Sequence, residues 1–149
     1  MKVKIIMTLI TLLLVGFVII VTLNSEEVES TKIEDVVFEE GKVNIYYFWG
    51  DGCPHCSAQS SFLESLKEEY GDYFNLYKFE VWSSEKNAKL MLRMAEVLEE
   101  NASGVPYTII GEKSFIGFND TMKQDIINAI KTQRNNDFDV YKILLEQEE

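Results

Sequence analysis

The only two cysteines of the chain, Cys53 and Cys56, stand three positions apart in GDGCPHCSAQS, residues 50–60, with the only histidine, His55, between them. Three chemistries can use such a set. As a metal clip, Cys53, His55 and Cys56 supply three ligands, with Asp51 as a distant fourth. A structural zinc draws four ligands, usually from two separate clusters, and the chain has no further Cys or His for a second. A copper(I) site with two thiolates stays open as an alternative. As a staple, a disulfide across two residues closes a very small loop and removes little entropy from the unfolded chain. As a redox pair, one sulfur attacks and the other resolves, provided that the attacking thiol ionises readily.

The flanking elements supply that condition. KVNIYYFWG, residues 42–50, is rich in β-branched and aromatic residues and predicts a buried strand from Val43 to Trp49. From Ser57 the pattern Phe62, Leu63, Leu66, Tyr70 is helical, and Gly71 ends it. Cys53 then falls at a helix amino end, where unpaired N–H groups and the macrodipole favour an anion. Pro54 sits in the first turn, where its missing N–H costs nothing. His55 adds a donor or a positive charge near the sulfur. Cys56 lies one turn further in, more buried and less nucleophilic. Cys53 is assigned as attacker and Cys56 as resolver, with Pro54 and His55 tuning the thiolate.

Around this unit the chain reads as alternating elements. Thr31 and Glu34 form a capping box and Gly41 a stop, predicting a first helix. NLYKFEVW, residues 75–82, predicts a second strand. Leu90, Met91, Met94, Ala95 and Leu98 mark a helix, with the methionines as packing residues. Two strands, Tyr107 to Ile110 and Ser114 to Phe118, flank a turn at Gly111-Glu112-Lys113. Asn119 to Thr121 reads as an N-cap region. Met122, Ile126, Ile127 and Ile130 form another helix, and Phe138, Tyr141, Leu144 and Leu145 a last one.

This order resembles the thioredoxin-like superfamily over Thr31 to Lys131, and two motifs carry the resemblance: FWGDGCPHC at the end of a strand, and Gly-Val-Pro at residues 104–106 before a hairpin. It implies an α/β fold, a central mixed sheet flanked by helices, with Cys53 and Cys56 as the catalytic couple and no cofactor. It also implies a cis bond before Pro106, turning the Val105 backbone toward the dithiol to pair with an extended substrate. The Pro-His pair and the valine before the proline are similar to the DsbA disulfide oxidases. The interval from Cys56 to Pro106, however, has no room for the helical insertion of that family. Thioredoxins carry a buried aspartate where Tyr47 stands, and a tryptophan where Gly52 stands. Both departures argue against an ordinary thioredoxin reductant.

Location follows from the amino-terminal segment. Ile5 to Ser25 carries no charge, and Ile5 to Leu23 is nearly all aliphatic, enough to span a hydrocarbon core of roughly 30 Å. Lys2 and Lys4 precede it, while Glu26, Glu27 and Glu29 follow, so the amino terminus is expected in the cytoplasm. The boundary residues lack the small-residue pattern of a signal-peptidase site, which favours an uncleaved anchor over a cleaved signal. The expected organisation is an anchor over residues 1–25, a spacer over 26–30 and one domain over 31–149, held outside the cytoplasm at the membrane. All 25 acidic side chains fall beyond the anchor, against 14 basic ones in the whole chain, which disfavours nucleic acid as a partner. The expected activity is thiol–disulfide oxidation or exchange on exported proteins, with a separate redox partner. The alternatives are an anchored reductase, the copper chaperone, and a non-catalytic module that holds a client, as in bacteriocin maturation.

Overall fold

The computed structural model describes Met7 and residues 30–148; the anchor expected over residues 1–25 lies outside the described stretch apart from Met7. Among the described residues, no helix is long and apolar enough to cross a membrane.

The centre of the domain is strand β1, Val43–Trp49, buried from Val43 to Phe48. A strand covered on both faces has no polar side to show, which is why VNIYYFW reads as a near-continuous apolar run. Strand β2, Phe74–Glu80, pairs with it in parallel, Val43 opposite Phe74 and Trp49 opposite Glu80. Strand β3, Tyr107–Ile110, lies antiparallel on its other side, Ile45 opposite Ile110 and Phe48 opposite Tyr107. Strand β4, Lys113–Ile116, completes a mixed four-stranded sheet in the order β2-β1-β3-β4.

Alternate residues of these strands face opposite helical layers, as the two-residue period demands. Tyr46, Phe48, Tyr77, Phe79, Tyr107 and Ile109 pack with Met91 and Met94 of helix Glu85–Val97 and with Val140 and Leu144 of helix Val140–Glu148. Val43, Ile45, Tyr47 and Ile110 pack with Cys56 and Leu63 of helix Pro54–Ser65 and with Ile126 and Ile130 of helix Lys123–Gln133. In chain order we call Pro54–Ser65 α1, the single turn Lys67–Tyr70 α2, Glu85–Val97 α3, Lys123–Gln133 α4 and Val140–Glu148 α5. Lys123, Lys131 and Arg134 place their cations over the rings of Phe62, Tyr70 and Tyr73, fastening α4 and its end to the layer of α1 and α2.

The first predicted helix is not there. Only a 3₁₀ turn, Ile33–Asp35, forms in its place. Its intended cap is used elsewhere: the Thr31 N–H donates to the Lys78 carbonyl at 2.6 Å, and Thr31 Oγ1 accepts from the Lys78 N–H at 2.9 Å. Ser30 Oγ accepts from the Glu80 N–H at 3.2 Å. Residues 30 and 31 thus cover the open edge of β2, an edge that would otherwise invite pairing. Further on, the Val37 N–H donates to Tyr77 Oη at 3.0 Å and its carbonyl accepts from Asn44 Nδ2 at 3.1 Å, which holds the segment out of a helix.

Smaller differences concern element ends. The helix expected from Ser57 to Tyr70 starts at Pro54 and is divided at Leu66 into α1 and α2. β4 stops at Ile116 rather than Phe118, where the Gly117 N–H turns to the Pro106 carbonyl at 2.8 Å.

Candidate active site

Beyond the carboxyl end of β1 the chain makes one tight turn and enters α1. Gly52, φ +73°, takes a left-handed conformation that glycine adopts without strain. A tryptophan, as thioredoxins carry there, would be strained in this backbone. The Cys53 N–H donates to the Gly50 carbonyl at 3.2 Å, closing the turn.

Cys53 is the N-cap of α1 and Pro54 its first residue, so the missing N–H of proline falls where no helical bond is due. The Cys56 N–H donates to Cys53 Sγ at 3.2 Å, so one of the orphan donors of the helix end is spent on sulfur. Cys53 and Cys56 are joined in a disulfide with their Cα atoms 5.2 Å apart. Cys53 is partly exposed and Cys56 only 1 % exposed. An incoming thiolate therefore has access to Cys53. His55 and Pro54 are both exposed on the first turn.

The Val105–Pro106 bond is cis. Pro106 is buried and immediately precedes Tyr107, which pairs with Phe48 of β1. Val105 is half-buried and packs against both core layers. Two residues after Pro106, Thr108 Oγ1 accepts from Gln59 Nε2 of α1 at 2.9 Å, both side chains being fully buried. This bond ties the dithiol helix to β3, the strand that follows Pro106. Gln59 was not among the residues that sequence reasoning singled out; its only signal is an amide at an inward position of the helix.

Tyr47 lies in the core behind α1 and donates its hydroxyl to the Cys56 carbonyl at 2.6 Å. Burial pushes its phenol above the usual range. A groove of about 470 Å³ runs beside the disulfide, lined by Tyr47, Trp49, Cys53, Cys56, Ser57 and Lys78 among others. Lys78 Nζ pairs with Glu64 of α1 at 2.5 Å. Burial pushes Glu64 up, but its bonds to Lys67 and Lys78 outweigh it and hold the carboxyl below the usual value.

Glu80, the last residue of β2, is the other residue the sequence concealed. It is 1 % exposed, and Oε1 accepts from the Trp82 N–H at 2.9 Å and from the Asp51 N–H at 3.3 Å. Oε2 accepts from the Ser83 N–H at 2.9 Å and from the Ser83 hydroxyl. Burial alone would push this carboxyl up; the four donors reverse the shift and hold it below the usual glutamate value. One carboxylate thus fixes both the dithiol turn and the loop after β2. The Asp51 carboxylate itself is exposed.

Among the described residues, no group of three His, Cys, Asp or Glu side chains is placed to hold a metal ion. A second groove of about 400 Å³, between residues 38–44 and 133–142 at the amino end of β1, contains no Cys or His.

No protein-family profile matches the chain, and no curated protein matches it. Solved structures do. One, described as a candidate thiol:disulfide interchange protein DsbE from Chlorobium tepidum, is 14 % identical, with a TM-score of 0.49 over 64 % of this chain and 82 % of its own. An uncharacterised thioredoxin-like protein from Clostridium perfringens is 23 % identical, with a TM-score of 0.49 over 74 % of this chain and 90 % of its own. Oxidised mitochondrial thioredoxin 3 from Saccharomyces cerevisiae is 18 % identical, with a TM-score of 0.45 over 62 % and 79 %. The likeness is one of fold. By its own geometry the chain has a thioredoxin-like α/β architecture: a mixed four-stranded sheet flanked by helices, with a Cys-x-x-Cys disulfide at a helix amino end.

Proposed function

We propose that the protein is a membrane-anchored, extracytoplasmic thiol–disulfide oxidoreductase that oxidises or exchanges disulfides in exported proteins through Cys53 and Cys56. The observation that carries this reading is the disulfide at the amino end of α1, its outer sulfur partly exposed and its inner one buried.

A client thiolate attacks Cys53 Sγ, the Cys53–Cys56 bond breaks, and Cys56 leaves as a thiolate that takes up a proton. A second client thiolate then attacks the client sulfur of the mixed disulfide. Cys53 leaves with the electron pair, and its thiolate rests against the Cys56 N–H. Two electrons pass from client to enzyme; of the two protons the client thiols give up, one ends on Cys56 and the other goes to solvent. A disulfide-bearing redox partner must take the electrons away again. The extended client segment pairs with the backbone of Val105, the role that the thioredoxin resemblance implies for the residue before Pro106. His55 and the helix end favour the thiolate, hence the reduced enzyme, which makes its disulfide a stronger oxidant. The apolar stretch of residues 1–25 supports the anchored, extracytoplasmic location.

Trapping tests the reading. In Cys56→Ser the Cys53 thiolate can still attack a client disulfide, but no second thiol of the enzyme displaces the client. Mixed disulfides with exported proteins should therefore accumulate on Cys53, and Cys53→Ser should accumulate none. A Cys53→Ser chain that still supports the biological role would instead mark a client-holding module. Copper bound to the purified reduced protein would favour the metal reading.

A further inference from the structure

Trp82 is 62 % exposed, yet one face of its ring rests on Gly50. Its main-chain N–H donates to Glu80, and its indole lies so closely on Gly50 that a methyl group there would overlap ring carbons. Gly50 in turn accepts the N–H of Cys53, so the ring stands on the turn that presents the attacked sulfur. A ring already packed on one face has less freedom to lose on binding. The three rings engaged by cations within the described residues are Phe62, Tyr70 and Tyr73, not Trp82.

Charge selects the occupant. Asp51, next along the chain from the covered Gly50, carries an exposed carboxylate, and its own N–H is held by the Glu80 that holds Trp82. The chain as a whole has a formal charge of −11. Tryptophan is the best aromatic partner for a cation, and a long basic side chain covers a ring with its stem while its head meets a carboxylate. An aliphatic side chain would cover the ring but gain nothing from Asp51.

We propose that Trp82 and Asp51 form a client subsite for an arginine or lysine side chain lying a residue or two from the cysteine that reacts at Cys53. This rests on the thiol–disulfide reading of the site and names the segments it prefers.

The test uses three reduced peptides of equal length, each with two cysteines and with Arg, Leu or Glu beside the first. The disulfide form of the full chain oxidises them, and each rate is divided by that with the neutral disulfide of 2-mercaptoethanol, which corrects for the peptide's own thiol reactivity. The Arg peptide should be favoured about fivefold over Leu, and Leu over Glu. Trp82→Ala and Asp51→Asn should each reduce the Arg-to-Leu ratio by about twofold or more, and added salt should reduce the Arg-to-Glu ratio. If circular dichroism shows Trp82→Ala to be unfolded, Asp51→Asn and the salt series decide. Equal ratios in the unmodified chain, a preference for Leu, or an Arg preference that the folded variants retain would overturn the subsite while leaving the redox function standing. If the chain oxidises none of the peptides faster than the small disulfide does, the redox function itself is contradicted.

Discussion

The hydroxyl of Tyr47 donates to the main-chain carbonyl of Cys56 at 2.6 Å, inside the core and directly behind the disulfide. At the position where the thioredoxin resemblance would put an acid that relays a proton, the chain has a phenol committed to the backbone. Burial drives its ionisation further out of reach, so it serves no acid–base role near neutral pH. Tyr47 holds α1 in place.

Tyr47→Phe should therefore cost about 0.5–1.5 kcal/mol of stability, the net worth of one buried hydrogen bond. The pH profile of thiol reactivity should keep its shape. Urea unfolding and stopped-flow alkylation from pH 5 to 9 measure both. A shifted profile would mean that the phenol acts on the sulfur after all.

Glu80 gives a prediction with a pH signature. Its folded-state pKa is depressed, so its stabilisation is fully present above the unfolded value of 4.5 and is lost as pH falls through the folded value. Glu80→Ala strips the acceptor from three backbone N–H groups and should cost about 1–3 kcal/mol at pH 7. The gap between the two proteins should narrow as pH falls below the ordinary glutamate range. Chemical denaturation at pH 7, 5 and 4 follows it; a gap that widens on acidification would contradict the assignment.

Asp139 should behave in the opposite sense. It caps α5 by accepting from the N–H groups of Tyr141 and Lys142, and it also accepts from Tyr46 Oη at 2.7 Å and Asn44 Nδ2 at 3.0 Å. Burial pushes its carboxyl up despite those donors. The folded protein then holds the proton more tightly than the unfolded chain, so this group's contribution is greatest below the unfolded value of 3.8 and declines as pH rises through the folded value. Asp139→Ala should lower stability by about 1–3 kcal/mol, by more at pH 4 than at pH 7. A gap larger at pH 7 than at pH 4 would contradict this.

These residues also show what was legible in the sequence. β1, the dithiol helix and the β3–β4 hairpin were readable because apolar periodicity and the Gly-Pro punctuation agree with the final packing. The stretch from Thr31 to Gly41 was not. Its capping box is locally sound, but Lys78 takes Thr31 and Tyr77 takes Val37, and neither partner is near in sequence. Glu80 and Gln59 were hidden for a related reason. A polar side chain in a strand or helix reads as solvated until the fold supplies the donors or acceptors that let it be buried. Trp82 closes the run that reads as a second strand, whereas the loop after Glu80 turns it outward onto Gly50.

The proposed oxidase function requires the Cys53–Cys56 couple to be poised to oxidise. Known couples run from about −270 mV for thioredoxin to about −120 mV for DsbA, a span of roughly 7 kcal/mol at about 30 mV per 1.4 kcal/mol. A thiolate at the helix end beside His55 should place this couple in the oxidising half, above about −200 mV, and His55→Ser should make it more reducing. Equilibration of the full chain with glutathione buffers, read by alkylation of the reduced fraction, measures the potential directly. A value above about −200 mV that falls in His55→Ser supports the account, and one near about −270 mV would contradict it and make the protein a reductant.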